Sequence, residues 1–145
     1  MRKFLLSSVL FLLIVSYVWS ADVYAEEKRT IEDFTHVMET YITAIDGSDA
    51  LESIINAIMD LTVNFEGLIP LMEAMSNKYP DWGDNPPPEL KETMARYEEI
   101  GTKFFMESMQ KTVRYANTHQ DNKALQEAFG KLNLVMSQIG GRASE

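Results

Sequence analysis

Four stretches of the chain carry apolar residues at alternating spacings of three and four, and no stretch alternates with a period of two. That pattern restricts the chain to amphipathic helices that must pack on one another. The first stripe is Ile31, Phe34, Met38, Tyr41 and Ile45. Thr30 with Asp33 reads as its capping box, and Gly47 as its stop. Ser48 is placed to cap a second helix with Leu51, Ile54, Ile55, Ile58, Leu61 and Phe65. Gly67 and Pro70 predict an interruption, with Pro70 in the first turn of a short helix carrying Leu71, Met72, Ala74 and Met75. Residues 80–88, rich in proline and turn formers, predict the main loop.

A third helix is predicted from Glu89, striped by Leu90, Met94, Tyr97, Ile100 and Phe104, then Phe105, Met109, Val113 and Ala116. Gly101 within it suggests close approach of a neighbouring backbone. Residues 117–122 form a polar turn. Asp121 would cap a fourth helix with Leu125, Ala128, Phe129, Leu132, Val135, Met136 and Ile139 inward, ended by Gly140 and Gly141. Two short connections and one long one imply an all-α fold. It is an antiparallel up-down four-helix bundle with the long connection between helices 2 and 3.

The amino terminus has a different character. Met1-Arg2-Lys3 precedes a run, Phe4–Trp19, that is apolar except for Ser7, Ser8 and Ser16. At 16 residues it falls short of the roughly 20 needed to span a bilayer. Val23 and Ala25 satisfy the small-residue rule for signal peptidase, so residues 1–25 read as a secretory signal peptide cut after Ala25 and 26–145 as the bundle domain. An uncleaved membrane anchor is the alternative. The expected compartment is the periplasm, with secretion as second choice.

Several chemistries are excluded or unsupported. The chain has no cysteine, hence no disulfide, thiolate metal site or cysteine nucleophile. Without the leader's Arg2, Lys3 and Asp22, 11 basic and 21 acidic residues remain, a formal charge of −10. Nucleic acid and anionic lipid are therefore poor partners. The two histidines, His36 and His119, fall at opposite ends of an up-down bundle and support no triad. Asp33-x-x-His36 is the only approach to a di-iron motif. No carboxylate pair or phosphate loop suggests an enzyme. Met72-x-x-Met75 and Met106-x-x-Met109 each place two thioethers on a helix face, which makes them candidate copper ligands beside their reading as core. Tyr79 and Trp82 read as aromatics pinning the long loop onto the bundle, with a ligand-stacking lip as the alternative.

Over nearly all of residues 30–140 the chain resembles the cytochrome c-prime family and its soluble b-type relatives. The resemblance is carried by Glu32-Asp33-Phe34, Met38-Glu39-Thr40, Lys78-Tyr79-Pro80-Asp81-Trp82, Pro88-Glu89-Leu90, Ala116-Asn117 and the run from Ala124 to Leu132. That family attaches haem through Cys-x-x-Cys-His near the end of the fourth helix. At the corresponding positions stand Met136, Ile139 and Gly140. Covalent haem is thereby excluded, and non-covalent haem loses its expected histidine. Met38 matches the b-type methionine ligand, which leaves Met38 and His36 as haem candidates, spaced i, i+2 on different sides of one helix. The expectation is a haem-less bundle whose vacated slot Met136, Ile139 and residues 67–88 fill. Its role would be binding or structural, with an unknown protein partner or self-association as a dimer. Relatives of this kind pair through their first two helices, where Ile42, Met59 and Val63 would add apolar surface.

Overall fold

The first stripe does form a helix, and a longer one than its caps implied. In the computed structural model, which describes residues 23–82 and 85–140, α1 spans Ala25–Gly47. The helix starts five residues before Thr30, whose hydroxyl bonds back to the Glu26 carbonyl instead of capping. Asp33 pairs with Arg29 one turn back. All five stripe residues are buried, and Ile42 joins them at 5 % exposure, so it offers no surface for self-association. Met59 and Val63, by contrast, are exposed.

α2 runs unbroken over Leu51–Lys78. Ser48 bonds the Ala50 amide ahead of the helix, so no side chain caps the first turn. The predicted interruption at Gly67 and Pro70 is absent. Pro70 is exposed, and the carbonyl left without its amide belongs to the exposed Glu66, where water can reach it. On the other side, Phe65 and Ile69 are buried and Leu68 and Met72 pack against the core. Burying a large apolar side chain contributes about 1.5–3 kcal/mol, so these four offset a proline cost of about 3 kcal/mol. By length and mean hydropathy α2 could cross a membrane. Ile54, Ile58, Leu61, Phe65 and Ile69 line the core, while Met59, Val63 and Leu71 are exposed beside Glu52, Asp60 and Glu66.

After the loop, a 3-10 turn at Pro88–Leu90 leads into α3, Lys91–Lys103, then a π-helical turn, Phe104–Ser108, and α4, Met109–Thr118. These form one continuous rod. The π turn inserts an extra residue, so the buried series becomes Phe104, Ser108, Thr112 and Ala116. Phe105 and Val113, expected inward, are 52 % and 40 % exposed. A Cβ added at Gly101 would meet nothing within 4 Å, so no backbone approaches there. α5 covers Lys123–Gly140, and its cap is Asn122, which accepts the Leu125 amide, not Asp121. Leu125, Ala128, Leu132 and Val135 are buried, and Met136 packs against the core. The leader through Asp22, the chain beyond Gly140 and the surroundings of the Ile139 side chain lie outside the described residues.

The described chain is thus all-helical, with four helical rods. α1 packs on α2 and on α3, and α2 packs on α5. The α2 end returns to the α1 start, where Lys78 meets Glu27. Arg96 meets Glu39 and Lys103 meets Asp46, so α1 and α3 run side by side in the same sense. The core is threaded by rings from three rods: Phe34 stacks on Phe65 at 5.0 Å, Phe65 meets Phe104 at 5.9 Å, and Phe104 meets Tyr41 at 5.5 Å. Such pairs add about 0.5–1.5 kcal/mol beyond area burial.

Candidate functional site

The side chains with chemical potential fall in three places. The first is a groove of about 470 Å³ between α1 and α3. Because α1 presents Lys28, Glu32, His36 and Glu39 at steps of three and four, they share one outer face. α3 supplies Glu92 and Arg96 opposite. Arg96 holds both oxygens of Glu39, at 2.9 and 3.1 Å, and that carboxylate keeps the guanidinium charge more firmly in place. Among the described residues no group of three or more His, Asp or Glu side chains is arranged to hold a metal ion. Arg96–Glu39 pairs across the groove, and Lys28–Glu32 pairs along α1.

The second place is the polar centre of the bundle. The Tyr41 hydroxyl is hydrogen-bonded to Thr112, which donates to the Ser108 carbonyl at 2.9 Å. Burial pushes the Tyr41 hydroxyl up to about 12, against the opposing effect of its Thr112 bond. Ser108 Oγ is buried without a partner. Composition and periodicity missed this trio because Tyr41 fits an apolar stripe. Ser108 and Thr112 reach the core only through the π turn. The spacing of four from Phe104 to Ser108 and from Ser108 to Thr112 was the available signal.

The third place is where the α1 start meets the α2 end. Glu27, 8 % exposed, accepts from Lys78 Nζ at 2.7 Å and from the Tyr79 hydroxyl at 3.1 Å. The Lys78 bond chiefly, against burial, holds its carboxyl below the usual carboxylate range. Tyr79 stacks on Trp82 at 3.6 Å, and Tyr24 packs edge-on against both. These rings fasten the 79–82 turn to the start of α1. Tyr24 was not foreseen because the reading of residues 1–25 as leader placed it outside the domain, and Glu27 because Glu26-Glu27 reads as a pair of solvating charges, whereas Glu27 is buried.

The residues singled out from sequence do not come together. His36 is exposed in the middle of α1, at the edge of the first groove, whereas Met38 is 2 % exposed inside the core. His119 lies in the α4–α5 turn, stacked on Tyr115. Tyr115 in turn donates to Asp49, beyond the carboxyl end of α1, so the histidines are separated by about three turns of α1. They are therefore not at opposite ends, yet still too far apart to share a site. Met72 packs against the core and Met75 lines a groove beside α1. Met106 is 62 % exposed while Met109 packs inward, so this pair is split between solvent and core. No protein-family model, characterised protein or solved structure matches the chain.

Proposed function

We propose that the chain is an exported, haem-less bundle of cytochrome c-prime shape that works by binding or structural support and not by catalysis. The observation that carries this reading is the place of Met38. Where a b-type relative offers its methionine to iron, Met38 sits in one cluster with Phe34, Phe65, Phe104 and Leu132. Met136, at a position of the absent thioether cysteines, packs against the same cluster. The residues present do not fit a haem, because His36 stands in solvent on another side of α1.

On this reading the rods form an antiparallel up-and-down bundle, with residues 79–90 as the long connection. The return of Lys78 to Glu27 supports it, as does Gln126 of α5 donating to Ala116 at the end of α4. The leader directs the protein to the periplasm. Copper held by the methionine pairs is disfavoured by the packing of the half-buried Met72 and Met109 against the core.

Met38→Ala separates a packing residue from a ligand in waiting. A core methionine truncated to alanine costs about 2–5 kcal/mol. Denaturant unfolding of the purified protein without added haem should show a loss of that size. A loss below about 1 kcal/mol would mean the side chain is not integral to the core, and the haem-less reading would fail.

A further inference from the structure

The cluster at the start of α1 bears on where the leader is removed. Tyr24 occupies the position before the first helical residue, and its carbonyl accepts the Lys28 amide at 2.8 Å, the first helical bond. Its ring lies 5.2 Å from Trp82 and 6.2 Å from Tyr79, nearly perpendicular to both. Tyr79 is also the second donor to the buried Glu27 carboxylate. Cutting after Ala25 would remove that ring and that carbonyl. It would also set a new ammonium group on Glu26, at the positive end of the α1 dipole.

The sequence holds a second site that spares this cluster. Val18 and Ser20 satisfy the small-residue rule for a cut between Ser20 and Ala21. Taken whole, the apolar run Phe4–Trp19 has 16 residues, longer than the roughly 7–15 of a signal-peptide core. Ended at Ser16, the core is Phe4–Val15, 12 residues, and Ser16–Ser20 becomes the short segment before the cut.

We propose that Tyr24 belongs to the mature domain and that signal peptidase cuts between Ser20 and Ala21. The processed chain then keeps Ala21-Asp22-Val23-Tyr24 ahead of α1, with the Tyr24 ring still closing the Tyr79–Trp82 stack. Export itself is presupposed from the reading above, and the test separates the two.

The full chain is expressed in a bacterium, and the processed protein is characterised by intact mass and amino-terminal sequencing. An amino terminus at Ala21 is the expected result. One at Glu26 overturns the proposal and leaves export intact, whereas an uncut chain overturns both. In parallel, chains beginning at Ala21 and at Glu26 are compared. After the leader's Trp19, Trp82 is the only tryptophan, so its emission reports the cluster directly. The chain from Glu26 should show red-shifted emission and a thermal midpoint several degrees lower. Identical emission and midpoint would show that Tyr24 contributes nothing to the fold and would sink the proposal.

Discussion

Glu27 keeps a negative charge at a position with about a tenth of its side chain exposed, and Lys78 and Tyr79 make that tolerable. Burying a lone carboxylate is costly, and a hydrogen bond to a charged group contributes about 1.5–3 kcal/mol. Lys78 is 60 % exposed along its side chain, so solvent screening weakens its share of the pair. Because the folded protein lowers the Glu27 pKa, its contribution is present above the ordinary value of 4.5 and is lost as pH falls through the depressed folded value. Glu27→Gln should cost about 1–2 kcal/mol at pH 7 in urea unfolding. It should also flatten the decline in stability below pH 4.5. An unchanged acid limb in the variant would show that another carboxylate governs it.

At the scale of the element, α2 and α3 each carry a residue that helices disfavour in an exposed or open position. Pro70 is exposed, and Gly101 has open space where a Cβ would stand. Gly101→Ala should therefore stabilise the protein by about 0.5–1 kcal/mol and Pro70→Ala by more, up to about 3 kcal/mol. Chemical denaturation of the two variants decides this. A destabilised Gly101→Ala would mean that something does pack there. The same elements mark the limits of what the residues foretold. The stripes of α1 and α2 were legible because Ile31 to Ile45 and Ile54 to Phe65 keep strict three-four spacing against one core. The continuity of α2 through Gly67 and Pro70 was not, because burial of Phe65 and Ile69 overrides local propensity. The π turn was hidden too. Its extra residue shifts the buried face from Phe105 and Val113 to Ser108 and Thr112, and packing against Tyr41 settles that shift, not local sequence. With it went the polar centre, while the Glu27 cluster was lost at the supposed leader boundary.

For the whole molecule, an acidic exterior surrounds a core in which aromatic rings from α1, α2 and the π turn touch in sequence. Among the described residues, the grooves between rods carry the pairs Arg96–Glu39 and Lys78–Glu27 across them, beside polar and apolar side chains. The residues on which the proposed haem-less reading rests all serve packing: Met38 lies in the core, Trp82 stacks on Tyr79, and Leu132 and Val135 belong to the same buried cluster. A slot large enough for a haem would leave such a core underfilled, at a cost that grows with its volume.

The most direct test is a visible-absorption titration of the purified processed protein with haemin, oxidised and then reduced. A haem-less bundle gives only the broad absorption of unbound haemin, unchanged by Met38→Ala or His36→Ala. A sharp Soret band saturating at one haem per chain, and lost on substitution of Met38, would contradict this reading and make the protein an electron carrier.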